Sequence, residues 1–170
     1  CISEGIIEFE VVDNPLFDLD EQAVLCLNEA SLDLEVQNPS DNYTYHWDYV
    51  GENNELSSVG STSKITISTG GIYQVTATTS GSFGCATTKT IEVITSELAK
   101  LKDQDIIILG FSSRENTVEV LIDNLGIGDY EFALDNGSFQ DEPYFTQVKP
   151  GMRTVSVRDK IGCGIATAQI

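Results

Sequence analysis

Hydrophobic and polar residues alternate in short runs along most of this chain. Such runs occupy residues 32–37, 43–50, 64–68, 71–79 and 85–94, and then 106–111, 117–123, 129–134, 144–148, 152–158 and 164–170. They are rich in β-branched and aromatic residues, and clusters of Asn, Ser, Gly and Pro separate them, as is typical of strands and turns. Only residues 96–102 suit a helical turn as well as a strand. The pattern predicts an all-β protein.

The strand pattern recurs with a period of about eighty residues. Cys1, Cys85 and Cys163 lie 84 and 78 residues apart, and a strand-like segment follows each of them. Repetition at a fixed period is the signature of tandem modules. We therefore expect two consecutive immunoglobulin-like (PKD-like) β-sandwiches joined by a short linker. Residues 1–13 would be a linker or the last strand of a truncated preceding module, followed by sandwiches at 14–95 and 96–170.

Large aromatic residues recur at matching places in the two modules. Trp47 and Phe132 each lie on a middle strand, so we expect them to anchor the two cores, with Tyr73 on a neighbouring strand. The pair Asn136-Gly137 follows a predicted strand. Both residues tolerate positive φ, which predicts a type I′ hairpin at this point.

The four cysteines favour disulfide bonds. They form no C-x-x-C pair, which argues against a zinc site or a thioredoxin-like site, and an even count suits an oxidising compartment. Cys26 and Cys85 flank the first module, and closing that loop would stabilise it by about 4 kcal/mol. We therefore predict a Cys26–Cys85 bond. Cys163 is left with three possibilities: no partner, Cys1, or a cysteine outside this chain.

Composition and charge narrow the classes of partner. Hydrophobic residues are 41% and charged residues 21%, as in folded proteins. The net charge of -18 repels a phosphate backbone, so nucleic acid is not expected as a partner. No run of apolar residues is long enough for membrane insertion. Because the chain begins with Cys1, we interpret it as a fragment or a processed product; an acylated Cys1 is less favoured, since a strand pattern begins at residue 5.

Candidate chemistry is sparse. His46 is the one histidine, and alternation places it opposite Trp47, on the solvent side of a strand. The sequence has no nucleophile elbow, phosphate-binding loop or zinc-protease motif, so we predict no catalytic residues and no enzyme activity.

Acidic loop residues are the candidate ligands for a cofactor, which would be calcium. They are Asp18, Asp20, Asp103, Asp105, Asp123 and Asp129. None of them has EF-hand spacing, and the plain alternative is a set of turn residues and solvated surface charges. Exposed aromatic residues are candidates for stacking on sugar rings, with packing inside the protein as the plainer alternative: Tyr43, Tyr49, Phe139 and Tyr144.

Several motifs resemble a known group of surface repeats. In the first module they are Leu25-Cys26, Tyr45-x-Trp47, Gly71-x-Tyr73-x-Val75 and Gly84-Cys85. These resemble the Ig-like, PKD-like tandem repeats of large adhesin or gliding-motility-associated proteins in Bacteroidetes-type bacteria. Residues 128–135 and 157–164 resemble the repeat that precedes a type B sorting domain, although the second module lacks an early cysteine. The resemblance implies export by the type IX secretion system.

These observations together predict a non-catalytic structural and adhesive module pair, secreted or at the cell surface, that acts as a spacer or adhesion repeat. Its partners would be neighbouring modules of the same polypeptide and a surface glycan or protein receptor. The alternative is a pair of carbohydrate-binding accessory modules of a secreted polysaccharide-degrading enzyme. That alternative requires an exposed aromatic platform.

Overall fold

The computed structural model describes residues 13–80, 84–110 and 116–170, which form β-strands joined by turns. In chain order the strands are β1 (Gln22–Cys26), β2 (Leu32–Glu35), β3 (Tyr43–Val50), β4 (Leu56–Gly60), β5 (Lys64–Ile67), β6 (Gly71–Thr79), β7 (Ala86–Ser96), β8 (Ile106–Leu109), β9 (Asn116–Val120), β10 (Tyr130–Leu134), β11 (Tyr144–Val148), β12 (Thr154–Asp159) and β13 (Ile165–Gln169). The helical elements of this described part are single 3₁₀ turns at Glu52–Asn54, Asp103–Asp105 and Ile122–Asn124. The all-β prediction is confirmed. The strand predicted before residue 13 lies outside the described residues.

Contacts between residues divide the chain into two compact units. The first unit contains the described part of Cys1–Ala23, together with Asp33–Ile67 and Gly71–Val93. The second unit contains Val24–Leu32, Ser68–Gly70 and Ile94–Ile170. The predicted limits of two separate modules, 14–95 and 96–170, remain a prediction.

The first unit is built on most of a five-stranded sheet with the order β1-β7-β6-β3-β4 and most of a two-stranded sheet, β2-β5. Residues 24–26 of β1, Leu32 of β2 and residues 94–96 of β7 group with the second unit. In the pairing of β3 with β6, Trp47 lies opposite Val75 and Tyr49 lies opposite Tyr73. Side chains alternate between the faces of a sheet, so these four point to the same side. Trp47 is fully buried and its indole N–H donates a 2.9 Å hydrogen bond to the carbonyl of Thr62. Tyr73 is also buried, and burial raises the pKa of its hydroxyl.

The second unit has two three-stranded sheets, β10-β12-β13 and β11-β9-β8. Inward residues of both sheets form one hydrophobic core around Phe132, and its other buried members are Ala99, Val118, Val120, Leu125, Val148, Val155 and Val157. Valine predominates because a β-branched side chain packs well on a pleated surface. The core of the second unit thus contains buried residues from both of its sheets.

The type I′ hairpin predicted at Asn136-Gly137 is wrong. The turn after β10 is centred one residue earlier, with the N–H of Gly137 donating to the carbonyl of Leu134 at 3.0 Å. Of the central residues Asp135 and Asn136, only Asp135 has a positive φ, of 55°. The chain does fold back on β10 after this turn, because Phe132 and Gln140 exchange backbone hydrogen bonds of 2.8 Å and 2.9 Å. The next strand, β11, then pairs with β9 rather than with β10.

The predicted disulfide between Cys26 and Cys85 is also wrong. Cys26 is bonded to Cys163, and their Cα atoms lie 5.4 Å apart. Both residues belong to the second unit, because Val24–Leu32 groups with it. The prediction assumed that cysteines flanking one module close on each other. The bond instead joins the end of β1 to the turn between β12 and β13.

Backbone contacts of the segment after Cys26 explain this pairing. The N–H of Leu27 donates to the carbonyl of Ser96 at 2.7 Å. The N–H of Leu98 donates to the side-chain oxygen of Asn28 at 3.1 Å. Of residues 96–102, for which a helical turn or a strand was considered, Ser96 ends strand β7 and residues 97–102 form neither. The N–H groups of Glu97, Leu98, Lys100 and Lys102 donate to partners in the second unit.

Candidate functional site

The solvent-facing side of the five-stranded sheet is the candidate functional surface. Because Tyr45 and Trp47 point into the core, the residues between and beside them on β3 point outward. The registers of β3 with β4 and β6, and of β6 with β7, extend this side across four strands. We call it the outer face and define it by Thr44, His46, Asp48, Val50, Leu56, Ile72, Gln74, Thr76, Thr78, Thr88, Thr90 and Glu92.

Threonine hydroxyls form a ladder across the outer face. Thr76 and Thr88 lie opposite each other on β6 and β7, and their hydroxyl oxygens are 2.8 Å apart. The hydroxyl of Thr44 donates to the carbonyl of Thr78 at 3.4 Å. Cross-strand pairs of this kind stabilise a sheet. They also present a row of oxygens that donate and accept hydrogen bonds.

An ionisable pair lies beside this ladder. The Nε2 atom of His46 is 3.1 Å from Oδ1 of Asp48, and the amide of Gln74 donates to the other carboxylate oxygen at 3.5 Å. The His46 side chain is 53% exposed, whereas that of Asp48 is 12% exposed. Because the pair lies on the exposed side of the sheet, its groups can form hydrogen bonds with a binding partner.

An apolar strip borders the polar part of the outer face. Val50 lies opposite Leu56 on β4 and opposite Ile72 on β6, so the three side chains form a row. Leu56 is 55% exposed and Ile72 is 47% exposed. Apolar side chains rimmed by hydrogen-bonding groups resemble the make-up of a protein–protein interface. Sequence reasoning did not find this row, because β4 was not predicted as a strand.

The structure does not bring the six predicted calcium ligands together. In the described ranges, no three residues of the types His, Cys, Asp or Glu lie close enough to hold a metal ion. Asp18 bonds to Lys89 at 3.3 Å, and Asp20 accepts from the amide of Gln37 at 2.6 Å. These partners belong to the first unit and give both carboxylates a structural role.

The remaining four candidates lie in the second unit. Asp105 is fully buried and accepts hydrogen bonds from the backbone N–H of Lys102 at 3.0 Å and from the amide of Asn124 at 3.1 Å. Asp103 and Asp123 are exposed residues of 3₁₀ turns.

Asp129 bonds to Lys160, which also contacts Asp141. The nitrogen-to-oxygen distances are 2.9 Å and 2.7 Å, respectively. Hydrogen bonds to Asp141 and Asp129 raise the pKa of the Lys160 ammonium well above its ordinary value. Lys160 therefore already supplies the positive charge between these two carboxylates.

The aromatic residues considered for sugar stacking are mostly engaged within the protein. Tyr43 packs edge-on against Tyr45 and Tyr49 against Tyr73, with ring centroids 6.5 Å and 5.3 Å apart. The guanidinium of Arg158 lies 3.9 Å from the centre of the Phe139 ring. Tyr144 is 51% exposed. Tyr43, Tyr49 and Phe139 thus have packing partners within the protein, and Tyr144 is the most exposed of the four.

Comparison with known proteins supports the fold. No protein-family model matches the sequence, and no curated protein does. The structure is similar to that of murine CEACAM1b, with a TM-score of 0.54, 12% identity, and coverage of 88% of this chain and 94% of that chain. It is also similar to immunoglobulin domains 1–5 of Sidekick-1, with a TM-score of 0.52, 13% identity, and coverage of 91% of this chain and 37% of that chain. At this identity the likeness shows the fold alone, and the predicted immunoglobulin-like β-sandwich class is confirmed.

The described residues include no helix long and apolar enough to cross a membrane.

Proposed function

We propose that this chain is a non-catalytic structural and adhesive part of a secreted or cell-surface protein. The observation that carries the proposal is the outer face, where an apolar strip adjoins a hydroxyl ladder. Its polar side chains bond to one another in the plane of the sheet. A flat surface arranged in this way can bury apolar area against another protein while its rim supplies hydrogen bonds.

The location outside the cell is supported by the disulfide between Cys26 and Cys163, since such bonds persist in oxidising compartments. The resemblance to Bacteroidetes-type surface repeats extends the proposal. The chain would be exported by the type IX system as part of a gliding-motility-associated or adhesin protein, with neighbouring modules of the same polypeptide as partners. Spacer and adhesive roles are compatible, because a repeated sandwich both extends a protein and presents surfaces.

Attachment of coated beads tests the adhesive role. Beads carrying the chain should bind intact cells of the source organism better than bare beads do. Ile72→Asp places a charge in the apolar strip and should reduce attachment about tenfold, which corresponds to about 1.4 kcal/mol of binding free energy. Ile122→Asp is the matched control, because Ile122 is also an exposed isoleucine, 56% accessible, in the second unit.

Equal attachment of coated and bare beads would overturn the adhesive role. Equal losses of attachment with Ile72→Asp and Ile122→Asp would exclude the outer face as the contact surface.

A glycan array tests the alternative function, that of carbohydrate-binding modules. Binding of a polysaccharide at micromolar concentration, removed by Tyr144→Ala, would favour carbohydrate-binding modules over the structural and adhesive proposal.

A further inference from the structure

The last strand of the second unit has an open edge. In the described part of the chain, β13 pairs with β12 on one side and has no strand on the other. The corresponding strand of the first unit is β7, which also follows a cysteine and also pairs with the strand before it. There β1 lies along the other edge of β7. The same fold position is therefore covered in one unit and open in the other.

The direction of the backbone groups in β13 follows from its pairing with β12. Arg153 and Ile170 exchange two hydrogen bonds, each of 2.9 Å, and Asp159 donates to Gly164 at 3.0 Å. In an antiparallel ladder, hydrogen-bonded and non-hydrogen-bonded pairs alternate. Ala166 and Ala168 therefore direct their N–H and C=O groups toward β12.

The other residues of β13 direct their backbone groups outward. These are Ile165, Thr167 and Gln169, whose N–H and C=O groups alternate along the open edge. Proteins usually protect such an edge with charged residues, Pro or a bulge. β13 has the sequence IATAQ and an unbroken register with β12, so it has none of these. Ile165 is also 51% exposed.

We propose that β13 pairs antiparallel with β13 of a second copy of this chain, about a two-fold axis at Thr167. In this register each Thr167 meets its own counterpart, and Ile165 of one copy lies opposite Gln169 of the other. Every outward N–H then meets an outward C=O, because a two-fold axis makes the strand complementary to itself. The two β10-β12-β13 sheets become one continuous sheet.

The uncharged strand β13 suits pairing with an identical strand, because it offers no charge that an acidic or basic partner would recognise. β13 has no ionisable residue, so the pairing places no like charges directly opposite each other. The whole chain nevertheless has a net charge of -18, and two copies repel each other at long range. Salt screens that repulsion. Association should therefore strengthen as the ionic strength rises, unlike an attraction between opposite charges.

Two substitutions at Thr167 test the pairing. Thr167→Pro removes one outward N–H and leaves the hydrogen bonds to β12 in place, because Thr167 does not donate to β12. Thr167→Lys leaves the backbone intact and places two ammonium groups next to each other on the two-fold axis. Each change should raise the dimer dissociation constant at least about tenfold in sedimentation equilibrium.

Thr90→Lys is the matched control. Thr90 is an exposed residue of β7, whose two edges are occupied by β1 and β6. This variant should dimerise like the wild type. Circular dichroism and melting temperature establish that each variant folds, and Thr167→Lys keeps the test decisive if Thr167→Pro does not fold.

Hydrogen exchange localises the contact. The amides of Ile165, Thr167 and Gln169 should become protected as the concentration of the chain rises, and the protection should increase with salt. A wild-type chain that stays monomeric at millimolar concentration in high salt would overturn the proposal. So would a dimer that survives both substitutions at Thr167. The outcome is independent of the outer face, since Ile72→Asp should leave dimerisation unchanged.

Discussion

The hydroxyl of Ser96 donates a 2.6 Å hydrogen bond to Oδ1 of Asp159, and both side chains are buried. The second carboxylate oxygen of Asp159 accepts the N–H of Cys163 at 2.9 Å. One carboxylate thus connects the last residue of β7, the end of β12 and the disulfide. A polar side chain buried in this way is stable only when its oxygens have hydrogen-bond partners.

Removing the Asp159 side chain should therefore destabilise the second unit. Asp159→Ala leaves two buried donors without their acceptor and should lower the free energy of unfolding by about 3 kcal/mol. Ser96→Ala removes one of the two hydrogen bonds and should cost about 1–2 kcal/mol. Urea denaturation followed by circular dichroism measures both. If both variants lose the same unfolding free energy, the hydrogen bond from the Cys163 N–H to Asp159 does not contribute to stability.

Strands that bury one face could be predicted from the sequence. The predicted limits of β3 and β6 match the structure, because alternation follows directly from burial on one side. The limits of β11 match as well, although its pairing with β9 is irregular. β4 was missed, since four of its five residues are exposed and the fifth is half-buried. Its position is fixed by pairing with β3 rather than by a hydrophobic pattern of its own.

The position of a glycine beside Glu97 provides a second prediction. Gly126 has a φ of 104°, and a Cβ atom there would overlap Oε1 of Glu97 and lie 2.8 Å from its Cδ. Gly162 has a similar φ of 108° and open space around it. Gly162→Ala should lower the free energy of unfolding by about 1–2 kcal/mol, because an alanine is strained at this φ.

Gly126→Ala should be more damaging than Gly162→Ala. It adds the displacement of Glu97 to the same strain, so the total should reach roughly 3 kcal/mol or more. Thermal or urea unfolding of the two variants gives the difference directly. A difference near zero would mean that Glu97 moves aside without loss.

Disulfide pairing could not be predicted from the sequence, because it depends on contacts between distant residues. Leu98 and Asn28, whose hydrogen bond accompanies the disulfide between Cys26 and Cys163, are 70 positions apart.

The arrangement of the acidic loop residues could not be predicted for the same reason. Composition identified them as oxygen donors, but the fold disperses them, and Asp129 is neutralised by Lys160. Likewise, the outer face depends on strand register, which alternation within a single strand does not reveal.

Breaking the disulfide gives a third prediction. Cys26→Ser and Cys163→Ser should each lower the free energy of unfolding by about 2–4 kcal/mol, because the unfolded chain gains freedom. Since each variant removes the same bond, the double variant should be no less stable than the single ones. Non-reducing peptide mapping checks the pairing independently. Additive losses, or a linked peptide joining Cys26 to Cys85, would contradict it.

Acid should remove a specific stabilising contribution from Glu97. Its carboxylate accepts hydrogen bonds from Lys100 at 2.8 Å and from the N–H of Ile127 at 2.9 Å. The Lys100 ammonium, and then the Ile127 amide, lower the pKa of Glu97 below its ordinary value of 4.5. A carboxyl whose pKa is lower in the folded state stabilises that state above pH 4.5, and the contribution is lost as the pH falls through the lowered pKa.

The difference in stability between wild type and Glu97→Gln should therefore be largest near neutral pH and shrink on acidification. Comparing two chains at each pH removes the general effect of titrating the other acidic residues. Lys100→Met removes the main cause of the lowered pKa, so its unfolding free energy should depend less on pH below 4.5 than that of the wild type. Urea unfolding between pH 3 and pH 7, with an NMR titration of the Glu97 carboxyl, measures both effects. The difference in unfolding free energy between the wild type and Glu97→Gln could instead stay constant from pH 3 to pH 7. That result would show that the charge of Glu97 does not stabilise the folded chain.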